Sequence, residues 1–178
     1  RKLCADLGVS EMLGAMAQSR LARLRGDAAK PKTEDGRGTS TGLGGDPMLT
    51  SVLLKEISRV SPGVGMVLIS SLGCAMAILE RGSVEVIERH ALPIFRQEKI
   101  GAWALTEHGA GSDAFGGMRT AAVPDGDAFV LNGQKTFISN APYADIFAIY
   151  ARVRAGDEPG PVRAFAVERG VEGLETGP

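Results

Sequence analysis

Apolar positions in the first half of the chain recur three and four residues apart, and near residue 100 that spacing gives way to short alternating runs. Leu13, Ala17, Leu21 and Leu24 share one helical face, with Ser10 placed to cap the helix and Gly26 to stop it. Residues 27–45 are rich in Gly, Thr, Lys and Asp and read as a linker. Asp46-Pro47 supplies an N-cap and a first-turn proline for a second helix. Leu49, Val52, Leu53, Ile57 and Val60 form its apolar face, with Lys55, Glu56 and Arg59 outward. Ser61-Pro62-Gly63 breaks it. Val64 to Arg81, closed by Gly82, is apolar on most faces and predicts a buried helix in the centre of a helical layer. Ser83 caps a further helix to about Arg89, with Val84, Val86 and Ile87 inward. Leu92-Pro93-Ile94-Phe95 then leads towards a sheet.

From Gly101 the runs are strand-like: Trp103–Thr106, Thr120–Val123, Ala128–Leu131, Thr136–Ser139, Ile146–Val153 and Val162–Glu168. Turn signals at Pro124-Asp125-Gly126, Asn132-Gly133 and Gly156–Pro161 separate them. Asn132-Gly133 predicts a type I′ hairpin, with Phe137, Ile138 and Ser139 on its returning strand. Helices followed by strands indicate the α+β class, with a separate β domain.

Composition narrows the function classes only a little. The 178 residues are 44% hydrophobic and 23% charged, with a net charge of −1, which is ordinary for a globular chain and gives no nucleic-acid-binding surface. Cys4 and Cys74 are too far apart for a metal motif or a disulfide framework, so no metal site is expected and a reducing, intracellular setting is the natural reading. The run from Val64 to Leu79 is short for a membrane span, and none is expected.

Two runs carry the chemistry. In LTEHGAGSD (residues 105–113) a strand opens into a loop with Gly109 and Gly111 beside Ser112. Such a loop can expose amide N–H groups to an anion, and the hydroxyl adds a donor. In NGQKTFISN (residues 132–140) an aromatic face stands beside a hydroxyl, which suits a flat heteroaromatic ring with polar edges. Taken alone, each run reads first as a turn or a piece of core and only second as a ligand site. Glu107 is best placed to brace the glycine turn and Asp113 to accept its N–H groups. Lys135 is expected in solvent, and His90 and His108 without a catalytic part.

In order and wording, the two runs together closely resemble the acyl-CoA dehydrogenase flavoprotein family, whose members carry an (L/V)TEPxAGSD segment, a T-x-A strand and an NGxKxxIxNxxxAD segment. The likeness runs back through LPIFRQEKIG and on to VRAFAVERGVEGLETGP, covering about residues 46–178. Departures are His108 in place of proline, Phe137 in place of tryptophan and Ser139 in place of threonine.

The resemblance implies residues 46–100 as a helical amino-terminal domain and 101–178 as a β-barrel-like central domain, with residues 1–45 a helix plus linker outside the match. The family's carboxy-terminal helical domain, which carries its catalytic glutamate, is expected to be missing, so no catalytic base is assigned in this chain. FAD is the implied cofactor, with Trp103, Leu105, Thr106, Gly111, Ser112, Phe137, Ile138 and Ser139 as its contacts and Ser112 also touching the thioester arm. The implied reaction is α,β-dehydrogenation of an acyl-CoA thioester in fatty acid and lipid metabolism. Reoxidation by an electron-transfer flavoprotein, assembly as a tetramer or dimer, and a cytoplasmic (in a eukaryote, mitochondrial matrix) location go with it. A flavin monooxygenase or nitroalkane-oxidase-like enzyme of the same fold, or a non-catalytic FAD-binding subunit, are the alternatives.

Overall fold

A computed structural model of the chain describes residues 6, 8–27, 47–154 and 159–177. Cys4, the linker from residue 28, the Asp46 cap and residues 156–158 of the Gly156–Pro161 turn lie outside these. The elements run α1 (Val9–Arg25), α2 (Pro47–Val60), α3 (Pro62–Arg81), α4 (Val84–Val86), a π-turn (Ile87–Ala91) and α5 (Leu92–Phe95), then β1 (Gly101–Ala104), β2 (Ala121–Asp125), β3 (Ala128–Asn132), β4 (Ile146–Arg154) and β5 (Pro159–Glu168). This is the α+β class.

Several boundaries differ from the sequence reading, each for a physical reason. Gly8, with φ 69, occupies the N-cap of α1. Ser10 sits inside the helix, where its hydroxyl donates to Gln97 Oε1 at 3.3 Å. Leu13, Ala17 and Leu21 are buried as expected, whereas Leu24 lies beyond the core, 43% exposed. Gly26 closes the helix with φ 84. Ser61 caps α3 by accepting from Val64 N, so Pro62 starts a new helix as well as breaking the old one.

The helical region does not end near Arg89. Pro93 cannot donate to the carbonyl four residues back, and its ring crowds that carbonyl. The chain meets this by widening into a π-turn over Ile87–Ala91 and continues helically to Phe95.

β4 organises the sheet. It pairs in parallel with β1 (Gly101↔Ile146 to Ala104↔Ile149) and with β2 (Ala121↔Arg152), and antiparallel with β5 (Ile146↔Glu168 onward). β3 adds to β2 as an antiparallel hairpin. Alternation along β4 splits the apolar set between two faces. Ile146 and Ala148 join Leu13, Ala17, Cys74, Ile78, Ile87, Ile94 and Phe95 under the helices. Phe147, with Ala102 and Ala144, forms a smaller core on the other face, where Ile138 packs.

The hairpin is at a different place from the one expected. Asp125 pairs with Ala128, so Gly126 (φ 60) and Asp127 form the two-residue turn. β3 ends at Asn132, and residues 133–138 leave the sheet, so there is no strand from Thr136 to Ser139. The glycine of Asn132-Gly133 answers a different demand. A Cβ on Gly133 would lie 2.5 Å from Thr120 Oγ1 and 2.7 Å from Thr120 Cα, so the backbone passes too close for any side chain.

α3 is buried only in part. Cys74, Ala75, Ile78 and Leu79 enter the core, but Val64, Met66, Val67 and Ile69 stay about half exposed, although α2 packs against the same half where Ser58 meets Gly65. By length and composition α3 is the one described helix able to cross a membrane. In this fold its second half is packed against β1 and the π-turn.

Candidate functional site

The segment after β3 is held against the loop after β1. Thr136 N donates to Thr106 O at 2.9 Å, and Lys135 Nζ donates to Leu105 O at 3.0 Å. The same ammonium donates to Glu107 Oε1 at 2.8 Å. Glu107 also accepts from Arg119 N (2.7 Å), Thr120 N (2.9 Å) and Thr120 Oγ1 (2.5 Å). Lys135 is therefore a buried partner of Glu107, against the expectation of a solvated side chain. Burial works to raise the Glu107 pKa, but the bonds from Lys135, Thr120 and the Arg119 backbone outweigh it and hold it at about 2. Burial lowers the Lys135 pKa, against the pull of Glu107.

Phe137 follows this anchor. Its φ is 56, a left-handed backbone that bulky side chains rarely adopt, and its ring is 88% exposed. Strain of this kind persists only where the surroundings impose it, here the pinned residues 135 and 136 on one side and the turn from Asn140 on the other. Ser139 is also exposed. Ile138 is partly buried and packs against the core of the second sheet face.

The glycine loop is open. Gly109 and Gly111 have no positive φ, and a Cβ on either would meet nothing within 4 Å, so their use is access and not conformation. Ser112 and Gly111 are exposed. Asp113 Oδ1 accepts from Gly116 N at 3.1 Å and so closes the turn that follows the glycine loop, not the glycine loop itself as expected. Trp103 lies on the helix side of the sheet, half exposed, next to Gly73 of α3 and with its ring centroid 6.5 Å from that of Tyr150. Phe115 extends this aromatic row, its ring 6.1 Å from Tyr150. Neither Phe115 nor Tyr150 was singled out in the sequence, since nothing in their spacing forecasts that β4 sets Tyr150 beside Trp103.

The structure thus joins Leu105, Thr106 and the segment carrying Phe137 and Ser139 by direct bonds, with Gly111 and Ser112 on the same loop as Thr106. The residue model of the acyl-CoA dehydrogenase middle domain matches residues 102–178. The chain belongs to the acyl-CoA dehydrogenase family. The short-chain-specific acyl-CoA dehydrogenase of Clostridium acetobutylicum is 37% identical over 137 residues, 76% of this chain and 36% of that protein. The caffeyl-CoA reductase–Etf complex subunit CarC of Acetobacterium woodii is 44% identical over 138 residues, again 76% of this chain and 36% of that protein. The solved acyl-CoA dehydrogenase of Bacillus anthracis, complexed with FAD, superposes with a TM-score of 0.66 at 27% identity, covering 96% of this chain and 27% of that one. The chain spans about a third of the length of the curated relatives it matches.

The remaining titratable groups are structural. His90 is 8% exposed on the π-turn, with Nδ1 3.5 Å from Glu168 Oε1 and no hydrogen-bond partner. Burial lowers its pKa. Glu168 is itself engaged by Arg89 Nε at 3.0 Å. His108 is exposed. Cys74 is fully buried and its thiol is pushed up to about 12 by burial, which makes it inert. Among the described residues, no three His, Cys, Asp or Glu side chains come together as metal ligands.

Proposed function

We propose that this chain binds FAD and contributes the cofactor-facing part of an enzyme for α,β-dehydrogenation of an acyl-CoA thioester. One observation carries the reading: Phe137 holds an exposed ring on a strained backbone, next to the exposed Ser139, on a segment bonded to the glycine loop at Thr106. That arrangement fits an isoalloxazine ring. The Phe137 ring covers one face, the Ser139 hydroxyl and the Thr106 region meet polar edges, and the exposed Gly111 and Ser112 receive the pyrophosphate. When bound, FAD supplies the hydride acceptor. The FAD complex of the Bacillus anthracis relative supports the cofactor.

Glu107 is not the base for the α-proton. Its carboxylate is buried, already accepts from four donors and has a pKa of about 2, so it has little affinity for a proton at neutral pH. On this reading the base is a carboxylate other than Glu107. The same reading takes residues 46–100 as a helical unit and 101–178 as the β unit. An electron-transferring flavoprotein as redox partner is supported by the Etf complex named for the Acetobacterium woodii relative, a caffeyl-CoA reductase.

The test is to purify the full-length protein with added FAD. The reading expects a yellow protein with stoichiometric flavin absorbance that an acyl-CoA thioester bleaches anaerobically. A colourless protein that takes up no flavin contradicts it.

A further inference from the structure

Asn140 connects three parts of the molecule that the site needs in fixed relation. Its side-chain amide donates to Val67 O in α3 and to Gly101 O in β1, both at 3.0 Å. An amide carries two N–H donors, and both are used here. Its own carbonyl accepts from Tyr143 N and Ala144 N, each at 2.8 Å, which closes the turn after Ser139. The backbone is left-handed, with φ 70, a conformation that asparagine tolerates better than other side chains. From the opposite side Arg169 clamps the turn, Nε donating to Ala144 O at 2.5 Å and Nη2 to Ala141 O at 2.6 Å. The Gly101 N donates to Ser71 Oγ of α3 at 2.9 Å, so α3, the start of β1 and the turn meet in one polar knot.

Elsewhere the contact between α3 and the sheet is mainly apolar, through Cys74, Ile78, Ile146 and Ala148, with one weak bond from the Cys74 thiol to Ile146 O, and apolar contact is non-directional. The first half of α3 has little of it, since Val64, Met66, Val67 and Ile69 are half exposed. The bond at Val67 O, with that from Gly101 N to Ser71, is therefore the directional tie between that half of the helix and the segment carrying residues 137–139. Resting on the function proposed above, we infer that Asn140 is a positioning residue. It locks the Phe137–Ser139 segment to α3 and β1, so that ring and hydroxyl meet the flavin at a set separation from the exposed apolar strip of α3.

Asn140→Gly in the full-length protein is the discriminating change, because glycine keeps φ 70 at no cost and removes only the two donors. Asn140→Asp keeps the shape but turns acceptors towards two carbonyl oxygens. Amide hydrogen exchange of the FAD-free protein is the first readout. Residues 64–71 and 137–144 exchange faster together in Asn140→Gly, and more so in Asn140→Asp. In the FAD-loaded protein the variant binds flavin about tenfold or more weakly, with an altered visible spectrum and a lower rate of flavin reduction by thioester. Unchanged exchange over 64–71, or wild-type flavin affinity and spectrum, overturns the inference. So does an Asn140→Gly protein that fails to fold, which assigns the residue a purely structural part. If the wild type takes no FAD, the functional reading fails by itself and the exchange experiment still decides the role of Asn140.

Discussion

The Lys135 ammonium donates to the Glu107 carboxylate at 2.8 Å in a place where both side chains are buried. These two residues come from the two runs that carry the family pattern, and their pairing joins the loop after β1 to the segment after β3. Breaking it leaves an uncompensated buried charge. Lys135→Met is expected to cost about 3 kcal/mol or more of folding stability, measured by urea denaturation at neutral pH. A loss within ~0.5 kcal/mol contradicts the assignment.

Glu107 also makes stability depend on acid. Its folded pKa, about 2, lies below the ordinary 4.5, so its contribution is fully present above 4.5 and is lost as pH falls towards 2. The wild type should lose stability across that window. Glu107→Gln should be less stable at neutral pH and show a shallower slope there. Equal slopes in the two proteins count against the pairing.

His90 gives a second window at higher pH. Burial lowers its pKa below the ordinary 6.5, so the unfolded chain takes up the proton more readily than the folded one. Stability attributable to His90 is present above 6.5 and declines as pH drops through the folded value. Denaturant midpoints between pH 7.5 and 5 should fall less in His90→Gln than in wild type, and the imidazole should titrate below 6.5 by NMR.

Gly133 and Gly109 separate close approach from simple access. Gly133→Ala places a methyl 2.5 Å from Thr120 Oγ1 and should destabilise by about 1–3 kcal/mol. Gly109→Ala meets nothing within 4 Å and should be within about 0.5 kcal/mol of wild type, while weakening FAD binding by crowding the open loop. Thermal melting and flavin titration read the two effects apart.

Much of this was legible in the chain. The spacing of Leu13, Ala17 and Leu21 gave α1, the Ser83 cap gave α4, and the wording of residues 105–113 and 132–140 gave the family before any coordinate. What was not legible depended on tertiary approach. Asn132-Gly133 carries a hairpin signal, yet its glycine serves the passage of the backbone over Thr120, a residue 13 positions earlier. Lys135 looks solvated until Glu107 is placed beside it. The π-turn follows from Pro93, but only when the helix is known to continue past it. Asn140 is one polar residue in a turn by sequence, and its bonds to Val67 and Gly101 span 73 and 39 positions.

The most direct measurement is the hydrogen-exchange footprint of FAD on the full-length protein. Slowed exchange in residues 105–112 and 136–140 together is the predicted result. Protection confined to β3 and β5, with residues 105–112 and 136–140 unaffected, contradicts the convergence of the two runs on one flavin.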